Sequence, residues 1–131
     1  MAPPSWGSVN PSGIPWSSVR KTLSARVPEL VRENTAEWVD SWLRDNGLSI
    51  DEVGSWAVHP GGPRVLGAFA EAIGLESDAT GISRRVLAEY GNMSSATLLF
   101  ILERLRAENA PRPCVAVGFG PGMVIETLLL R

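Results

Sequence analysis

The one histidine of the chain, His59, stands in the stretch SWAVHPGGP at 55–63, between an apolar run and a Pro-Gly-Gly turn. Imidazole is the side chain whose proton moves near neutral pH, so it can act as acid, base or hydrogen-bond donor. At the C-terminal end of a buried strand, followed by a turn into a helix, it would occupy the crevice in which open α/β sheets bind ligands. Gly61 and Gly62 permit close approach of backbone to such a ligand. The same place also suits a ring that does no more than pack at a strand end.

A second stretch, YGNMSSA at 90–96, sets Asn92 among small residues just before a long apolar helix. A side-chain amide there can donate a hydrogen bond to a developing oxyanion, and it never ionises. It can equally cap the helix, because Asn satisfies free amide groups at helix starts. The third chemistry-bearing side chain is Cys114. It lies in the apolar run Cys114-Val115-Ala116-Val117, where a free cysteine behaves as a small inert hydrophobe.

These residues need elements to position them. Val27, Leu30, Val31, Asn34, Trp38, Trp42 and Leu43 recur at three- and four-residue steps, which predicts a helix from Val27 to Asn46-Gly47, with Pro28 in its first turn. Val53–Val58 reads as a buried strand, Pro63–Ile73 as a helix closed by Gly74, and Ser83–Glu89 as a short helix. A long helix follows over Ser94–Glu108, with Leu98, Leu99, Ile101, Leu102 and Leu105 on its apolar face. Cys114–Val117 and Val124–Leu130 are strand-like and joined by Gly118-Phe119-Gly120-Pro121-Gly122. The order predicts an α/β layer structure. Residues 1–22, rich in Pro, Ser and Gly towards the start, read as an irregular lead-in to a single domain over 23–131.

The chain has 131 residues, enough for one domain with its own core. A hydrophobic fraction of 44% with 20% charge predicts a packed globular core rather than disorder. Net charge is −2 and the Lys and Arg residues are scattered, so the basic footprint that nucleic acid demands is missing. One cysteine excludes an intrachain disulfide and any cysteine-based metal cluster. No leader pattern and no apolar run of the ~18 residues needed for a membrane span occurs. A cytoplasmic protein with no membrane or nucleic-acid partner is expected.

Three motifs go further. HPGGP at 59–63, EYGNMSSATLLFIL at 89–102 and GFGPG at 118–122 resemble, in order and spacing, the C-terminal signatures of the type III polyketide synthases, the chalcone and stilbene synthase family. LSARVPEL at 23–30 resembles the stretch that precedes them, and residues 1–21 lie outside the likeness. The resemblance implies the C-terminal half of a thiolase-like fold, layered α/β/α, with a mixed sheet and flanking helices. It also implies an acyltransferase that condenses an acyl-CoA starter with malonyl-CoA by decarboxylative Claisen condensation. CoA thioesters are then substrates, and no cofactor or metal is expected.

By that resemblance His59 and Asn92 are the catalytic pair that stabilises the enolate, and His59 also holds a thiolate nucleophile. Ser94 matches a residue lining the elongation cavity, and Gly120, Pro121 and Gly122 match the loop that shapes it. Gly61 and Gly62 match the turn beside the CoA entrance. Met123 and Val124 depart conservatively from the usual Leu and Thr.

In that family the nucleophilic cysteine lies in the N-terminal half. The chain therefore reads as the C-terminal part of such an enzyme, from a truncated or mis-started frame and inactive alone. The alternatives are a non-catalytic half-module that pairs with a separately encoded N-terminal half, and a fragment of the ketoacyl synthase III type. The family implies a homodimer, and an uncovered half implies association of the isolated chain.

Overall fold

The computed structural model describes residues 16–120 and 124–131. Its centre is a three-stranded mixed sheet of β1 (Ser55–Val58), β2 (Cys114–Gly120) and β3 (Val124–Leu130), in that order, with β1 parallel and β3 antiparallel to β2. All four residues of β1 are buried. A strand covered on both faces has no solvent side to mark with polar residues, which is why Trp56-Ala57-Val58 shows no alternation.

Register decides what each face packs. Trp56 and Val58 pair with Val115 and Val117, and these large side chains form one face. Against it lie α1 (Trp16–Asp45) and α2 (Pro63–Ile73), contributing Val31, Val39, Leu43, Leu66 and Phe69. The other face is made by Ala57, Cys114 and Ala116, small enough to accept the helix pair α3 (Gly81–Tyr90) and α4 (Ser95–Ala107) through Val86, Ile101 and Leu105. Two helical layers thus sandwich the sheet, as a layered α/β fold requires. Within the larger cluster Phe69 meets Trp56 at 5.6 Å and Phe119 at 6.2 Å between ring centres, both edge-on.

Helix α1 starts at Trp16, well before the Val27 that the apolar spacing gives, so residues 16–22 of the expected lead-in are helical; residues 1–15 lie outside the described residues. The spacing marks only the stretch that packs, and Pro28, read as a first-turn residue, lies inside the helix. The buried stripe is Val31, Thr35, Val39 and Leu43 at four-residue steps, whereas Asn34 and Trp38 are exposed. Trp38 instead stacks on Trp42, 6.3 Å away and nearly parallel.

The other boundaries fall within two residues of their predicted places, except that β2 runs on to Gly120. The sequence places Gly118–Gly120 in the connection, but pairing with Glu126–Val124 draws them into the ladder.

Three helix ends use one device. Leu48 N–H reaches Leu43 O (2.9 Å), Leu75 N–H reaches Ala70 O (2.8 Å) and Ala110 N–H reaches Leu105 O (2.9 Å). Each bond spans a residue at positive φ: Gly47, Gly74 or Asn109.

Candidate functional site

The site is assembled at the C-terminal end of β1. His59 N–H donates to Val117 O at 2.8 Å, extending the parallel ladder one residue past the strand. On the opposite edge of β1, Val58 N–H donates to Ser83 Oγ at 3.2 Å, and Ser83 is fully buried in α3. β1 is thereby held from both sides immediately before the histidine. The chain then turns through Pro60-Gly61-Gly62 into α2, with Pro63 in its first turn and Gly62 at φ 150°.

The second wall is the turn between α3 and α4. Gly91 leaves α3 at φ 71°, and Ser94, the residue preceding α4, sits at φ 60° and ψ −142°. A non-glycine residue there carries strain of order 1–3 kcal/mol and persists only where its surroundings fix it. Here they do. Ser94 N–H donates to Asn92 Oδ1 (2.9 Å), Thr97 N–H donates to Ser94 O (3.1 Å), and Met93 N–H donates to the Oγ1 of buried Thr97 (2.7 Å).

His59 closes the arrangement, its Nε2 lying 2.7 Å from Ser94 O. A carbonyl oxygen only accepts, so Nε2 carries the proton and donates. The same logic orients the amide. Asn92 Oδ1 accepts from a backbone N–H, which leaves the Nδ2 hydrogens as the group available to an acceptor. His59 and Asn92 are therefore both fixed on one residue, Ser94, each with a defined donor atom. Asn92 is not the helix cap that its place before α4 suggested, since Ser94 holds the N-cap position and makes no side-chain capping bond.

Two ion pairs brace the helices that carry this turn. Arg85 meets Glu108 at 3.0 Å and Arg104 meets Glu89 at 2.8 Å, across the antiparallel α3 and α4. The Arg104 guanidinium bonded to Glu89 holds that carboxyl below its usual range, and Arg104 is raised in turn.

Of the other residues singled out by the sequence, Gly61 and Gly62 lie in the turn beside His59, and Gly120 lies at the same end of the sheet, three residues beyond Val117. Pro121 and Gly122 fall outside the described residues. Cys114 is at the other end. It pairs with Ser55 at the start of β1, which puts it about 13 Å along the sheet from His59, at ~3.3 Å per residue. It is buried beside a cleft of ≈ 510 Å³ that Leu99, Arg106, Arg112 and Leu130 help to line. That register separates the thiol from the imidazole.

Sequence reasoning missed Ser83 and Thr97. Thr97 left a signal, a hydroxyl at the third helical position where a capping box would place Glu or Gln. Ser83 left none, because a buried hydroxyl inside a short helix looks like any surface serine.

Comparison with known proteins gives this geometry its class. The description "Chalcone and stilbene synthases, C-terminal domain" matches residues 12–131. The chain is 36% identical over 121 residues to the alpha-pyrone synthesis polyketide synthase-like Pks18 of Mycobacterium tuberculosis, covering 89% of this chain and 31% of the relative. It is 38% identical over 118 residues to 1,3,6,8-tetrahydroxynaphthalene synthase of Streptomyces peucetius subsp. caesius, covering 88% and 31%. The solved structure of PKS-I from the brown alga Ectocarpus siliculosus superposes with a TM-score of 0.77 at 33% identity, over 81% of this chain and 30% of that one.

The chain belongs to the chalcone and stilbene synthase family, the type III polyketide synthases, and has the thiolase-like α/β architecture of that class. It corresponds to the family's C-terminal domain and spans about 31% of the length of these curated relatives. Among the described residues no helix is long and apolar enough to cross a membrane, and no group of His, Cys, Asp and Glu could hold a metal ion.

Proposed function

We propose that this chain supplies the enolate-stabilising part of a type III polyketide synthase that extends an acyl-CoA starter with malonyl-CoA. The observation that carries the reading is the convergence of His59 and Asn92 on Ser94, which defines a donor atom on each. Loss of CO₂ from malonyl-CoA leaves an electron pair delocalised onto the thioester oxygen. His59 Nε2–H and Asn92 Nδ2–H stabilise that charge, and one such donor contributes about 2.7–4 kcal/mol. The enolate carbon then attacks the thioester carbonyl of the enzyme-bound acyl group, forming the C–C bond and releasing the cysteine thiolate. CoA thioesters are substrates throughout, with no further cofactor.

The thiolate is proposed to come from outside this chain, because Cys114 stands at the wrong end of the sheet. A reading as a half that pairs with a separately supplied partner is favoured by one observation, the exposure of Leu99 (67%) and Phe100 (45%) on α4.

The test is reconstitution with the cysteine-bearing part of a relative. Decarboxylation of malonyl-CoA and polyketide formation are expected only when both parts are present, and to fall by two to three orders of magnitude, roughly, when Asn92 is replaced by Ala. Condensation by the chain alone would overturn the need for an external thiolate. Unchanged turnover with Asn92→Ala would overturn the donor role.

A further inference from the structure

We propose that Ser94 is a positioning residue for both donors and acts through its peptide groups rather than its hydroxyl. The inference rests on reading His59 and Asn92 as the donor pair and says what holds that pair when no substrate is bound.

The carbonyl of Ser94 has two lone pairs, and both are taken, one by Thr97 N–H and one by His59 Nε2–H. The first bond belongs to the opening turn of α4. The second crosses to β1, thirty-five residues away in sequence. That carbonyl therefore ties the imidazole to the start of a helix, and it also decides which ring nitrogen keeps the proton. With the oxygen as partner, a proton on Nδ1 alone would set two lone pairs against each other.

The amide side of the same residue does the complementary task. Ser94 N–H is given to Asn92 Oδ1, which turns the Asn92 amide so that nitrogen, not oxygen, is left to donate. Both bonds depend on the backbone lying at φ 60° and ψ −142°. At the negative φ that serine normally prefers, the N–H and C=O would point elsewhere and the two anchors could not be satisfied together.

The hydroxyl takes no part in the cap of α4. The Ser94 carbonyl oxygen, by contrast, is a resident acceptor for His59. An incoming thioester oxygen displaces or shares it and meets a donor already protonated and aimed.

The single histidine makes a direct test practical. Grown with nitrogen-15-labelled histidine, the chain carries one labelled ring, and magic-angle-spinning spectra read it in monomer or oligomer alike. At pH about 9, where an ordinary imidazole is neutral, one ring form is expected, with its proton on Nε2 and hydrogen-bonded. Ser94→Ala and Ser94→Gly keep the peptide and are expected to keep that signal.

Asn92→Ala releases the Ser94 N–H, and Ser94→Pro forces φ to about −65°. Both are expected to shift Nε2 and to speed exchange of its proton roughly tenfold, the order set by loss of one hydrogen bond. An Nε2 signal in Asn92→Ala identical to the parent's overturns the proposal. So does a Ser94→Ala shift as large as that of Ser94→Pro, which would give the role to the hydroxyl. Where the helical circular dichroism of Ser94→Pro departs from the parent's, Asn92→Ala decides. The readout is the ring and not turnover, so a negative result leaves the donor reading to its own reconstitution test.

Discussion

The carbonyl oxygen of Ser94 receives the Nε2–H of His59 at 2.7 Å, a bond that joins the end of the edge strand β1 to the start of a helix on one face of the sheet. Through it the imidazole has a definite protonation site before any ligand arrives. In the reconstituted enzyme, His59→Gln retains a donor of similar reach and His59→Ala does not. Malonyl-CoA decarboxylation, followed by CO₂ release, is expected to fall about 10²–10³-fold for His59→Ala and by less for His59→Gln.

Ser83→Ala tests the support behind the histidine. The substitution leaves the buried Val58 N–H without its acceptor, which costs about 1–3 kcal/mol. A lower denaturant midpoint with an unchanged slope is the expected result. An unchanged midpoint would show that the 3.2 Å contact contributes nothing.

Gly54→Ala tests the other end of β1. A Cβ there would lie 2.6 Å from the carbonyl carbon of Pro111 and 2.7 Å from its oxygen, and both are backbone atoms that cannot swing aside. A loss of ~1–3 kcal/mol from overpacking is expected in thermal melts. Gly47→Ala meets open space but keeps φ at 75°, so its cost is conformational alone and smaller.

The Glu89–Arg104 pair predicts a pH dependence. Glu89 titrates below its ordinary range in the folded chain because Arg104 bonds its carboxylate. Its contribution to stability is therefore present above the unfolded carboxylate range and is lost as pH falls through the lower folded value. Arg104→Ala should melt earlier than the parent near neutrality, and the two should converge in acid. A gap that persists after Glu89 is protonated would point to lost packing of the arginine stem instead.

Leu99 and Phe100 predict association. Phe100 lies 5.1 Å from Tyr90, itself half exposed, so an aromatic pair and a leucine face outward together. Leu99→Ser with Phe100→Ser should lower the light-scattering mass of the isolated chain and leave its helical circular dichroism unchanged. A mass that does not move would remove this face from the contact.

Much of the framework was legible because packing imposes a period. Pro63–Ile73 was readable to the residue, since proline at its start and Gly74 at its end have opposite and specific backbone preferences. His59 was legible as a strand-end residue because the Pro-Gly-Gly after it admits little else. Illegible were features that depend on partners distant in sequence. Nothing local distinguishes Asn92 as a cap from Asn92 as an anchor for Ser94, because the difference lies in which N–H reaches the oxygen. The register that sends Cys114 to the far end of the sheet exists only once β1 and β2 pair. Glycines at 118 and 120 resembled a turn until an antiparallel neighbour supplied a ladder.

The parallel pairing of β1 with β2 also orders the steps of folding. Helices α3 and α4 are adjacent in the chain and can meet through a short loop, as can β2 and β3. Ser55 and its partner Cys114 are separated by everything between the two strands. Closing that span is the slow entropic step, and its cost is met only after local pairs have formed. His59 and Ser94 both lie inside that span, thirty-five residues apart, so their contact closes a shorter loop, whereas the His59 N–H bond to Val117 O needs the long closure itself. Protection of the His59 amide against hydrogen exchange, which needs Val117 as its acceptor, therefore serves as a clock for completion of the sheet.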